Sequence, residues 1–174
     1  MSDTPLFKFA LREDLINNKE FLPTKGEPDA TGWDVSCAFK DEKQYPVEVK
    51  AGDWIKIPLG FRCFAPKGWW LELRPRSSTA AKKNLHALYG VIDTSYEGEL
   101  IFCAQYLPHQ LRYKISDPNV NNDLLLQFGE KIGQLIPVKR QEMIVEEISN
   151  EDFNDYCQTR GAQRGAGGFG STSK

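Results

Sequence analysis

The chain has no apolar run long enough to cross a bilayer, and its polar start, Met1-Ser2-Asp3-Thr4, lacks the hydrophobic core of a secretory leader. A cytoplasmic protein without a membrane partner is expected. Cysteine and histidine are scarce: Cys37, Cys63, Cys103 and Cys157 are scattered without a CxxC pair, and there are only two histidines. That excludes the usual zinc spacings and points to four reduced, partly buried thiols. Charge of one sign is lacking too. Lys and Arg number 22 against 24 Asp and Glu, a formal net charge of -2, so no general affinity for nucleic acid is expected. The exceptions are local: Arg74, Arg76, Lys82 and Lys83 lie close together, and Arg160 and Arg164 sit near the end.

What is present is enough for one ordinary domain of 174 residues with a real core, and most of it has the period of two. Trp69, Leu71 and Leu73 alternate with Trp70, Glu72 and Arg74, and residues 100–106 suit a strand buried on both faces. Residues 47–49, 54–57, 61–64, 132–138 and 143–148 are further short strands, separated by turn signals such as Ala51-Gly52-Asp53 and Phe128-Gly129-Glu130. Many short strands at this spacing predict an all-β sandwich or barrel. Helix is expected over 76–83, with Ser77 or Ser78 as N-cap, and for a turn or two over 150–156. Residues 8–22 have a weaker helical pattern. The polar stretch 107–125 reads as a long surface loop.

The chemistry sits in five blocks. The last, Arg164-Gly165-Ala166-Gly167-Gly168-Phe169-Gly170-Ser171-Thr172, interleaves an arginine, a ring and hydroxyls with glycines. Arginine grips phosphate oxygens with a fork of donors, a ring covers a base, and glycine lets backbone N–H groups approach an anion. The other blocks are Gly32-Trp33-Asp34, then Arg76-Ser77-Ser78, then Gly90-Val91-Ile92-Asp93-Thr94-Ser95-Tyr96, and Gly133-Gln134-Leu135. Asp93, ionised at neutral pH, can take a proton from a water, although an Asp before Thr-Ser also suits a plain turn. Ser77 at a helix start can cap the helix or lie beside an anion.

In this order and spacing the blocks resemble the five motifs of the trimeric dUTP pyrophosphatase (dUTPase) family, from about Phe7 to Thr172. The resemblance implies an all-β, jelly-roll-like distorted barrel with one short helix, assembled as a three-fold homotrimer. It implies a β domain over 1–158, with an insertion at about 107–125, and a tail over 159–174 that closes on the site. The implied reaction is Mg²⁺-dependent hydrolysis of dUTP to dUMP and pyrophosphate, which lowers dUTP and supplies dUMP for thymidylate synthesis. Asp93 would hold the attacking water. Gly90, Val91 and Ile92 would read the base edge mainly through backbone groups, and Tyr96 would underlie the sugar. Arg76, Ser77, Ser78 and Gln134 would meet phosphates or water, and Asp34 would order water around the Mg²⁺. In the tail, Arg164, Gly168, Gly170, Ser171 and Thr172 would bind phosphate and Phe169 would stack on uracil. Each site would draw on three chains.

The chain departs from the family at Leu88 and Tyr89 before Gly90, at Ser78 where most members have Gly, at Trp33, and in the 107–125 insertion, a candidate surface for a protein partner. The nearest alternative is dCTP deaminase, which shares the fold but places a catalytic Glu on the strand after its Ile-Asp motif. Here that strand reads Ile101-Phe102-Cys103-Ala104-Gln105-Tyr106, without a carboxylate. A dUTPase-like regulatory protein acting through the 107–125 loop is the other alternative.

Overall fold

Alternating apolar and polar residues become antiparallel sheet wherever the register lets one face be buried. A computed structural model describes residues 4–40, 46–108 and 123–161, in two units, Met1–Arg140 and Gln141–Lys174. The first unit holds twelve described strands: β1 (Lys8–Leu11), β2 (Thr24–Lys25), β3 (Trp33–Ser36), β4 (Val47–Val49), β5 (Trp54–Pro58), β6 (Phe61–Phe64), β7 (Trp69–Pro75), β8 (Leu85–Ala87), β9 (Gly90–Ile92), β10 (Ile101–Tyr106), β11 (Leu124–Leu126) and β12 (Lys131–Lys139). Their order is β2-β3-β12-β7-β9 in the largest sheet, β5-β10-β8 in a second, and β1-β6 and β11-β4 in two ribbons. All these pairings are antiparallel.

The largest sheet positions the functional residues. Residues opposite one another across a ladder share a face. Val35, Leu71, Leu73 and Leu135 turn inward and are buried with Ile57, Phe61, Leu100, Phe102, Leu126 and Ile132. The alternate positions therefore turn outward, and register aligns them: Asp34 opposite Gln134, Gln134 opposite Arg74, Val91 opposite Glu72. In β10 the same alternation buries Phe102, Ala104 and Tyr106 and leaves the residues between them half-buried, so this strand is less buried on its second face than its composition suggests.

Helix α1 (Ser77–Lys83) forms where expected, but neither serine caps it. The extended backbone of β7 runs on through Arg76 (φ -77°, ψ 158°), which is the N-cap and makes no side-chain cap bond. Ser77 is already helical, and a capping hydroxyl works from the residue before the first helical one. Asn84 ends the helix at φ 53° and donates its N–H to the Ala80 carbonyl.

Thr79 anchors α1 to the sheet. It is fully buried, and its Oγ1 donates to the Ile132 carbonyl at 2.6 Å. The β12–β3 register slips between Lys131 and Gly133, so Ile132 lies at the irregularity and Thr79 takes up its carbonyl. Replacing Thr79 with Val keeps the shape and leaves that buried acceptor unpaired. Urea denaturation at fixed protein concentration should show a loss of about 1–3 kcal/mol.

Three expectations are corrected. Residues 8–22 are not one helix: β1 takes 8–11, pairing with β6, and 3₁₀ turns follow at Glu13–Leu15 and Lys19–Phe21, which bury Leu15 and Phe21. Residues 143–148 form no strand. Met143, Ile144 and Val145 are 84%, 98% and 82% exposed, and no described strand pairs with them, so an apolar run alone does not make a ladder. The loop drawn to residue 125 ends earlier, because Leu124–Leu126 pair with β4. Its segment 109–122, and with it most of the candidate partner surface, lies outside the described residues. The helix expected over 150–156 forms and runs slightly longer. In the second unit α2 (Asn150–Thr159) is capped by Ser149, whose Oγ accepts from the Asp152 N–H at 3.0 Å. The expected boundary at 158/159 falls inside this helix. No helix among the described residues is long and apolar enough to cross a membrane.

Candidate active site

The first cluster of expected site residues forms where β3, β12 and the end of β7 run side by side. Asp34 is held at both oxygens: Arg76 Nε approaches Oδ1 at 3.0 Å and Lys131 Nζ approaches Oδ2 at 3.0 Å. Gln134 lies opposite Asp34 and donates Nε2 to the Pro75 carbonyl at 3.0 Å, one residue before Arg76. Gly32 makes room for this arrangement, because a Cβ there would collide with the Gln134 amide. Ser77 is exposed at the first helical position and Ser78 is half-buried behind it. Three motifs far apart in sequence thus meet, and the meeting place carries guanidinium, amide and hydroxyl donors suited to an oxyanion.

The second cluster surrounds the turn after β9. Asp93 is exposed, and its carbonyl accepts the Tyr96 N–H at 3.1 Å, closing the turn. It lines an open hollow of about 520 Å³ with Trp70, Val91, Thr94, Ser95 and Arg140. Val91 points outward and is 64% exposed, whereas Ile92 packs on the core and Gly90 backs onto Leu73. Ile92 and Gly90 therefore offer a ligand backbone rather than side chain. Tyr96 is 44% exposed, donates its hydroxyl to the Glu99 carbonyl at 3.0 Å, and rests where a side chain at Gly98 would clash. It faces an adjoining hollow with Lys8, Arg62 and Phe64, and Thr94 and Ser95 form the wall between the two.

These two clusters do not meet within one chain. Ile92 pairs with Leu71, so Asp93 lies level with Trp70. From Trp70 to Arg76 there are six residues of extended backbone, roughly 20 Å. The carboxylate and the phosphate-type donors occupy opposite ends of β7. Of the other expected residues, Arg164, Gly168, Phe169, Gly170, Ser171 and Thr172 lie outside the described residues.

Sequence reasoning missed Lys131, which shares Asp34 with Arg76 across 97 residues of chain, and Trp70 and Arg140 beside Asp93. No local signal could have found Lys131; only the β3–β12 register brings it near. The cysteines are all free. Burial, with Glu130 nearby, pushes the Cys37 thiol up to about 12, and burial raises Cys63 to about 11, so neither supplies a thiolate near neutral pH.

Among the described residues no three His, Cys, Asp or Glu side chains group as a metal cage. Asp34 has both oxygens committed to cations, yet each carboxylate oxygen keeps a further lone pair. Contact with a metal-bound water fits this donor set; direct ligation fits it poorly.

No family model matches the chain. Curated relatives do. The deoxyuridine 5'-triphosphate nucleotidohydrolase of Arabidopsis thaliana is 30% identical over 171 residues, covering 98% of this chain and 85% of that one. The enzyme of the same name from Paramecium bursaria Chlorella virus 1 is 31% identical over 150 residues, covering 86% and 88%. Among solved structures, the Staphylococcus bacteriophage 80alpha dUTPase with dUPNHPP superimposes with a TM-score of 0.71 at 19% identity, over 98% of this chain and 100% of that one. The fold is shared with these dUTPases, and at such identity and coverage of the curated relatives the chain belongs to the deoxyuridine 5'-triphosphate nucleotidohydrolase (dUTPase) family.

Proposed function

We propose that this chain hydrolyses dUTP to dUMP and pyrophosphate at sites shared between three copies of itself. The observation that carries the reading is the separation along β7: an exposed carboxylate at one end, and Arg76, Ser77 and Gln134 at the other. One nucleotide can touch both only if they come from different chains, which a closed ring of identical subunits supplies. In this reading Asp93 orients a water and accepts its proton as the oxygen attacks the α-phosphorus. The bond from that phosphorus to the bridging oxygen breaks, and the leaving pyrophosphate carries the electron pair away. Arg76 and Arg164 hold non-bridging oxygens, the Ser77 hydroxyl meets the bridge, and Gln134 positions phosphate or water. Positioning and charge stabilisation supply most of the rate.

Tyr96 underlies the deoxyribose and excludes a 2′-hydroxyl, the backbone of 90–92 reads the base edge, and Phe169 covers it. Ser78, Gly168, Gly170, Ser171 and Thr172 complete the phosphate contacts. Mg²⁺, chelated by the triphosphate, would neutralise charge on the phosphates. Asp34, fixed by Arg76 and Lys131, would hold one of its waters.

Deamination is disfavoured by β10. The strand has no carboxylate from Ile101 to Tyr106, and the Gln105 Nε2 donates to the Gly52 carbonyl at 3.1 Å. Product chromatography with dUTP, dCTP, dTTP and UTP, each with Mg²⁺, tests the reading. Conversion of dUTP alone to dUMP and pyrophosphate is expected. Ammonia release from dCTP, or no reaction with dUTP, would overturn it.

A further inference from the structure

Beside the phosphate-type cluster, on the same outer face of the sheet, stands a cation that none of the five motifs contains. Arg74 lies opposite Gln134 on β12 and, at the end of β7, two residues before Arg76. Extended chain carries side chains two residues apart to one side, roughly 6–7 Å from each other. Arg74 and Arg76 are thus neighbours on one edge, at a spacing comparable with a triphosphate.

The Arg74 side chain is exposed but held. Its Nη2 approaches Glu72 Oε1 at 2.8 Å, and its guanidinium carbon lies 5.6 Å from the centre of the Tyr89 ring. Tyr89 sits in the turn between β8 and β9, 70% exposed, with Arg74 against its face. Leu73 pairs with Gly90, which puts Arg74 and Tyr89 at one level. Ion pair and ring together fix a long side chain that would otherwise lose rotamer freedom on binding. One edge of the fork is spent on Glu72, and a guanidinium carries five N–H donors, so donors remain.

The local charge needs such a group. Arg76 shares Asp34 with Lys131, and among the described residues Arg74 shares Glu72 with no second cation. Three cations face two carboxylates, a small surplus for a polyanion, and removing Arg74 would erase it.

We propose that Arg74, held by Tyr89 and Glu72, is a further polyphosphate-binding residue that makes the site favour the triphosphate over the monophosphate. This rests on the dUTPase reading above and adds to it a residue pair, Arg74 and Tyr89, outside the five motifs.

Calorimetric titration with a non-hydrolysable imido analogue of dUTP and with dUMP tests it, alongside dUTP turnover. Arg74→Ala should weaken the analogue roughly tenfold, the value of one charge-assisted hydrogen bond at a partly exposed site, and leave dUMP unchanged. Arg74→Lys should recover part of the loss. Tyr89→Ala should weaken the analogue by a few-fold, and Tyr89→Phe, which keeps the ring face, should bind as the parent does. Should Arg74→Ala fail to fold by circular dichroism, the Lys and Tyr89 variants carry the test. An Arg74→Ala protein that binds the analogue like the parent, or loses dUMP equally, overturns the proposal while parental dUTP turnover stands. A parent without dUTP turnover overturns the reading beneath it instead.

Discussion

Two variants that are each inactive are expected to restore activity when assembled together. Asp93→Asn keeps the size of the side chain and removes the charge that accepts a proton, so turnover should fall by roughly 10²–10⁴ while the imido analogue still binds. Arg76→Ala should be similarly impaired through phosphate binding. Its fold should survive, because Lys131 still pairs with Asp34. The two residues stand at opposite ends of β7, about 20 Å apart, so in the proposed arrangement a site uses Asp93 of one chain and Arg76 of another. A trimer that contains both variants, in either ratio of two to one, has about one site in three with both residues intact. Co-expression and tandem affinity purification of the mixed species, followed by a pyrophosphate-release assay, give the answer. Recovery near a third of parental activity is expected, roughly one intact site per mixed trimer. A mixed trimer as dead as its components would place both residues in one chain's site and refute the shared arrangement.

How far the sequence reaches depends on whether a residue's role is local. β7 is legible because it alternates, and β10 and β12 because each is a short apolar-rich run between turn signals; Leu71, Leu73, Phe102 and Leu135 are buried as those readings require. The run 143–148 is also rich in apolar residues, but a strand is a property of a pair, and no described strand pairs with it. Ser77 looks like a cap, yet whether the chain turns at 76 or 77 is decided by how far β7 extends along β12, a long-range contact. The candidate site divides the same way. Asp34, Arg76, Gln134, Asp93 and Tyr96 could be picked out because motif order carries a family resemblance. Lys131 on Asp34, Arg74 on Tyr89 and Thr79 on Ile132 could not, since each is set by register between strands or by helix docking. The rough 20 Å between Asp93 and Arg76 is of this kind too. It follows from three pairings of β7 with β9, and it supports the proposal of a site shared between chains.

Removing residues 162–174 should abolish turnover without unfolding the protein. All buried core residues among those described precede Gln141, the last being Leu135, so the melting temperature should stay within a degree or two of the parent. Activity has no such insulation. The deleted segment carries Arg164, the one arginine assigned to the γ-phosphate, and Phe169, the ring assigned to the base. An arginine delivered to a phosphoryl-transfer site is worth roughly 10³–10⁵ in rate, and base stacking about 1–3 kcal/mol. Steady-state kinetics should therefore show kcat/KM reduced by roughly a thousandfold or more for the truncated chain. Phe169→Ala alone should cost about five- to a hundredfold, mostly in KM. If closure over the nucleotide also expels water, the truncated protein should lose kcat beyond what saturating dUTP restores. A truncated protein that reaches parental kcat at high dUTP would confine the tail to binding, and one with parental kcat/KM would remove it from the site.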